Sequence, residues 1–242
     1  MATLVIADIH ANAAALAVVP PAEKIICAGD IVTFGVEPNA CIDWLRERNA
    51  LCIRGEEDDA VAHGTVHALP QRLAAAGIAS RSLTRSQLTP DNLAWLADLP
   101  PEIHVAIEGH RIGVVHAYPG DYNRYLLPTD EELERLTRAF PLADVIVAAH
   151  THRQGIWHCR GKVVVNPGSV GQNTLPGLAS YALIDRGRVS FGTARYDVEL
   201  AIDAIRRAPL TRDTQDACIR ELTEGSIRPS SRLPWPIHSV LA

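Results

Sequence analysis

The sequence predicts an α/β fold built on parallel strands. Two observations carry that prediction. Short apolar runs alternate with helix-like segments in the order β-α-β-α-β through residue 53, the pattern of a parallel sheet covered by helices. The runs are also apolar throughout rather than alternating, as strands buried on both faces are.

Taken in order, the first strand is expected over 3–7 and an Ala-rich helix over 12–19. A second strand covers 24–28. Cys41, Ile42, Trp44 and Leu45 give the segment 39–48 an amphipathic helical face. A third strand covers 51–53. The stretch 58–99 reads as mostly helical. One helix is expected over 69–77, with Gly77 near its C-terminal end. Another starts at Thr89-Pro90-Asp91 and ends at Leu99 before two prolines. Segments 103–107 and 111–115 flank Glu108-Gly109-His110 as a hairpin. Thr129 with Glu132 three residues on is a capping-box pattern opening a helix over 129–140. From residue 144 the chain turns β-rich, with strands at 145–149, 155–159, 163–165, 181–184 and 188–193. Helices follow at 199–206 and 211–222. The Pro-rich end, with Trp235 between Pro234 and Pro236, reads as irregular.

The chain has 242 residues, 47% of them hydrophobic and 21% charged, and it reads as one domain over 1–242. A net charge of -5 argues against a general nucleic-acid binder. It leaves a small phosphorylated substrate open, because bound cations would reverse the local field. Five cysteines form no C-x-x-C, and Cys27 and Cys52 lie in apolar strand runs. That favours a reducing cytoplasm. The N-terminal apolar run is broken by Asp8 and His10, so it is not read as a signal peptide. No apolar run reaches the ~18 residues of a membrane span.

Five apolar runs end on a metal-binding side chain. They lead into Asp8-Ile9-His10, Gly29-Asp30, Gly55-Glu56-Glu57-Asp58, His116 and His150-Thr151-His152. Residues two apart in an extended segment point the same way. Asp8 and His10 can therefore address one ion together, as can His150 and His152. Groups at the carboxyl ends of sheet strands converge on one crevice. A lone D-x-H or H-x-H is weak. Five such groups in this order imply a shared metal site of the kind a two-metal phosphoester hydrolase requires.

In these motifs the chain resembles the calcineurin-like metallophosphoesterases, in particular their small bacterial and archaeal (YfcE-like) branch. That family carries D-x-H, G-D, G-N-H-D or a variant, a lone His, and G-H-x-H. The resemblance covers about 3–196 and includes Gly29-Asp30-Ile31-Val32, His116-Ala117-Tyr118-Pro119-Gly120 and Asn166-Pro167-Gly168-Ser169-Val170-Gly171. It fades beyond Asp197, which leaves 197–242 as a C-terminal helical extension. It implies a four-layer α-β-β-α sandwich of two mixed sheets. It also implies two divalent transition-metal ions (Mn, Fe, Ni or Zn). Asp8, His10 and His152 would hold the first, and His116 and His150 the second. Asp30 would bridge them through both carboxylate oxygens. Implied too is hydrolysis of a phosphomonoester or phosphodiester by in-line attack of a metal-bridging hydroxide. Asn12 matches a family asparagine expected near the phosphate. Arg54 is placed with it on the substrate side, with a structural role as the other reading. Homo-oligomerisation is left open.

The family's Asn-His pair reads Glu56-Glu57 here. Glu56 can still ligate the second ion, as an anion. Two divalent ions, a hydroxide and two carboxylates leave one net positive charge, and a third carboxylate cancels it. That implies a tighter hold on metal and a weaker pull on phosphate. Glu57 stands where the family's catalytic histidine would be. A raised pKa would let it protonate the leaving group; otherwise it points to solvent. His63 and His67 are weaker substitutes. His104, His110, His158 and His238 match no family position. The replacement also keeps a rival open: a binding scaffold of the same fold with impaired or no catalysis, like the vacuolar-sorting subunit of retromer.

Overall fold

The computed structural model describes residues 2–69 and 71–226. The Pro-rich segment with Trp235, and His238, lie outside the described residues. Two mixed five-stranded sheets face each other. The first has strand order β10-β9-β1-β2-β3. Its members are β1 (Thr3–Ile6), β2 (Lys24–Cys27), β3 (Leu51–Cys52), β9 (Leu178–Asp185) and β10 (Arg188–Arg195). The second, in the order β4-β5-β6-β8-β7, uses β4 (Glu102–Ile107), β5 (His110–Val115), β6 (Val145–Ala148), β7 (Gln154–Cys159) and β8 (Lys162–Pro167). β1, β2 and β3 run parallel, as do β5, β6 and β8. Antiparallel partners flank each trio.

The period-2 geometry of a strand sorts these apolar runs into layers. Val5, Ile26 and Ala182 turn inward and meet Val114, Val147 and Val165 of the other sheet. Leu4, Ile6, Ile25 and Cys27 turn outward beneath α2 (Pro38–Glu47), which buries Cys41, Ile42 and Leu45 there. Across the molecule, Ile146, Ala148 and Val164 pack under α6 (Asp130–Ala139), through Leu133, Leu136 and Phe140. These three apolar layers make the α-β-β-α sandwich that the resemblance implies. Thr129 caps α6 by accepting the Glu132 N–H, as the motif requires.

Two helices depart from expectation. The Ala-rich segment makes only one turn, α1 (Ala13–Leu16), because Val18, Val19 and two prolines follow it. The helix expected over 69–77 is instead a short 3-10 turn, Gln71–Leu73, running into α4 (Ala74–Gln87). Gly77 lies inside α4 and ends nothing. A Cβ there would come within 2.5 Å of Leu69 Cδ1, so its bareness serves packing. Between β3 and α4 lies α3 (Glu56–His63), and α5 (Pro90–Asp98) follows α4. The two C-terminal helices, α7 (Val198–Arg207) and α8 (Arg212–Thr223), share an apolar cluster with Phe34 and Leu73. No helix among the described residues is long and apolar enough to cross a membrane.

Candidate metal centre

The chain ends of β1, β2, β3, β5 and β6 deliver polar side chains to one crevice. Past β1, Asp8 donates its N–H to Gly29 O, and His10 donates to Asp30 O. The loops after β1 and β2 are thereby laced together. Asp8, His10, Asp30, His150 and His152 all have positive φ, between 49° and 65°. Non-glycine residues rarely sit there, at a cost of roughly 1–3 kcal/mol each, and such outliers cluster at functional sites. Gly55 is required by close approach: a Cβ on it would lie 2.2 Å from Asp30 Oδ1.

Seven buried side chains form two adjoining groups. Asp8, His10 and His152 form one; Asp30, Glu56, His116 and His150 form the other. In the first, His10 Nε2 and His152 Nε2 are 3.1 Å apart, and His152 Nε2 lies 3.5 Å from Asp8 Oδ1. In the second, Glu56 reaches His116 Nε2 at 2.8 Å and His150 Nδ1 at 2.9 Å. Asp30 Oδ2 joins the groups, 3.8 Å from His10 and 3.5 Å from His116. Asp30 Oδ1 accepts the Glu57 N–H at 3.0 Å. Oδ2 thus faces both groups, while the N-terminus of α3 steadies Oδ1.

The imidazoles are oriented from behind. His116 Nδ1 lies 2.6 Å from Ala28 O, and His152 Nδ1 lies 2.7 Å from Gln172 O. A carbonyl behind one nitrogen turns the other toward the crevice, as in metal-bound histidines. Ser169 donates to Asp8 O and accepts the Gln172 N–H, so the Asn166–Gly171 loop supports this group. Tyr125 stacks on His150 at 4.2 Å.

Electrostatics follow from burial. Burial alone would raise the Glu56 carboxyl, but His150 and His116 hold it well below the ordinary carboxylate range. Burial likewise opposes a charged His116, yet Asp30 and Glu56 hold its pKa well above the usual histidine value. Protons on imidazole thus balance the carboxylates where cations would. His150 Nε2 is buried without a hydrogen-bond partner. The set of imidazole and carboxylate donors fits a divalent metal ion.

The other predicted residues sit differently. Glu57 is 2% exposed, and both its oxygens accept from Arg81, at 2.8 and 2.7 Å. It neither points to solvent nor offers a free acid. Burial pushes its pKa up to about 6 against the pull of Arg81. Asn12 caps α1 through Oδ1, and its amide donates to Gly171 O and the Tyr196 hydroxyl. Arg54 donates to Leu99 O at 2.6 Å and lies 3.2 Å from Asp59. Both are tied into the frame by these contacts. Sequence reasoning missed Arg81, Tyr125 and Asp58. Asp58 accepts the N–H groups of Ile31, Val32 and Gly55, clamping the Asp30 loop to α3. Burial and Asp30 push its pKa up to about 8.

The sequence profile of the calcineurin-like phosphoesterase superfamily domain matches residues 1–187. The chain belongs to that superfamily. An uncharacterized protein of Methanocaldococcus jannaschii is 29% identical over 228 residues, covering 83% of this chain and 90% of its own. Among solved structures, a hypothetical protein of Pyrococcus horikoshii superposes with a TM-score of 0.80 at 22% identity. It covers 93% of this chain and 99% of its own. A metallophosphoesterase from Sphaerobacter thermophilus gives 0.73 at 23% identity, covering 91% and 100%. Both structures share the fold.

Proposed function

We propose that this superfamily member hydrolyses a small phosphomonoester or phosphodiester at a dinuclear centre. Asp8, His10 and His152 hold one divalent ion. Glu56, His116 and His150 hold the other, and Asp30 Oδ2 is shared. The observation behind this reading is the convergence of seven buried ligands from five strand ends on one carboxylate oxygen. Bound divalent ions would supply an activated water and neutralise phosphoryl charge.

The chain's own residues do the rest. Ala28 O and Gln172 O fix the tautomers of His116 and His152. Glu57 N–H holds Asp30 in place. Glu56 adds a third carboxylate, so the site binds cations more tightly and attracts phosphate less. That favours less charged diesters. Asn12 and Arg54 act by holding the loops that carry the ligands. The net charge of -5 and the buried ligand set fit a small soluble substrate better than nucleic acid or a membrane surface.

Purified protein given Mn or Ni should turn over bis-p-nitrophenyl phosphate, and Asp30→Asn should abolish it. The rival scaffold reading draws on the Glu57–Arg81 pair, which removes the acid the family carries there. Bound metal without turnover across a broad phosphoester panel would favour the scaffold.

A further inference from the structure

A second polar cluster lies three residues along α3 from Glu56. Residues so spaced share a helix face, and Asp59 stands there. Its Oδ2 is 2.8 Å from His67 Nε2. Its Oδ1 is 3.1 Å from His63 Nδ1 and 3.2 Å from Arg54 Nε. His67 is 8% exposed, and its ring stands edge-on to Tyr122, centroids 5.5 Å apart. The phenol of Tyr122 lies within electrostatic reach of Arg54 and His116. Three residues on, Tyr125 stacks on His150. Asn123, between them, accepts the Ala68 N–H beside His67. One loop therefore binds this cluster to the second ligand group.

His67 Nδ1 is buried and has no hydrogen-bond partner. A buried polar atom left unpaired costs roughly 1–3 kcal/mol, which a ligand pairing with it would recover. A carboxylate on one ring nitrogen orients the imidazole and leaves the other nitrogen to a ligand.

We infer that His67, ordered by Asp59, donates the proton at Nδ1 to the leaving oxygen of the phosphoester, in the role that Glu57 does not fill. The inference rests on the phosphoesterase reading. Water adds its oxygen to phosphorus as the bond from phosphorus to the leaving oxygen breaks. The electron pair of that bond stays on the leaving oxygen, which takes the imidazole proton. The proton shed by the attacking water restores the imidazole. Nothing is oxidised or reduced. Such a donor matters most for poor leaving groups, so the implied substrate class is esters of alkyl or sugar hydroxyls rather than activated aryl esters.

The test uses full-length, metal-loaded protein, a series of aryl phosphodiesters graded in leaving-group basicity, and an alkyl ester. His67→Gln should lower kcat on the most basic leaving groups by about 10²–10⁴-fold, the usual contribution of a positioned acid. The loss on bis-p-nitrophenyl phosphate should be the smallest of the series, with metal content and melting temperature near wild type. Equal loss on every ester, or no loss on any, would overturn the inference. Should His67→Gln fold poorly, the wild-type pH profiles decide. Turnover of the alkyl ester must fall toward high pH through a group that bis-p-nitrophenyl turnover does not show; matching profiles would overturn it. Wild-type protein inactive on the whole series would instead sink the phosphoesterase reading, and this inference with it.

Discussion

Glu56 and Glu57 are neighbours of identical chemistry, yet they face different partners. Glu56 turns into the crevice, against His116 and His150. Glu57 turns outward against Arg81 on α4. The first is held ionised by two imidazoles. The second is raised to about 6 by burial despite its guanidinium partner. On the proposed reading one position serves ligation and the other anchors a helix. The helix direction explains the split: successive side chains project about 100° apart, so adjacent residues do not share a face. What replaces the family's Asn-His pair is one ligand and one strut.

That contrast can be broken from either side. The largest effect should come from the oxygen both ligand groups share. Second-layer partners of metal ligands are worth about 10–100-fold in affinity or activity. Asp30→Asn should exceed that on both, by metal analysis and turnover. Next comes the strut. Arg81→Met leaves Glu57 buried and unpaired, which should cost about 3–5 kcal/mol in urea unfolding. The pH dependence has a definite sign. Glu57 titrates higher folded than unfolded, so the folded state binds the extra proton. Its contribution to stability is greatest at acid pH and is lost as pH rises through about 6. Without Arg81 the loss should extend to higher pH.

A third change separates the two glutamates directly. Glu56→Asn should weaken metal binding, by less than Asp30→Asn does, and raise turnover at saturating metal, since one negative charge leaves the phosphate's path. Unchanged turnover would contradict the charge argument. Pairing it with Glu57→His would blur that test, because the second change also removes the Arg81 ion pair. The smallest effect is expected at Ser169→Ala. Its hydroxyl makes two buried hydrogen bonds, so roughly 1–3 kcal/mol of stability should go while bound metal stays near wild type.

Much of this was legible in the sequence because strand-end ligands are local patterns. Each apolar run stops on its Asp or His within a few residues, and the sheet order then brings the ends together. The two facing sheets needed the family resemblance, since periodicity alone does not pair strands. The glutamate split was not legible. Arg81 lies 24 residues from Glu57 on a helix whose start the sequence misplaced, with Gly77 read as a terminator. Asp58 is one of four consecutive acids, and only the backbone N–H groups converging on it reveal a clamp. Asp59 and His67 carry no spacing signal, and Tyr122 reaches His67 from the loop after β5.

The central claim is that two adjoining ligand groups hold a pair of divalent ions around one Asp30 oxygen. Protein stripped of metal, reloaded with Mn and freed of excess should retain about two ions per chain. Anomalous scattering from its crystals should place them on either side of Asp30 Oδ2. A folded, reloaded protein that retains none, with the crevice showing no anomalous signal, would contradict it.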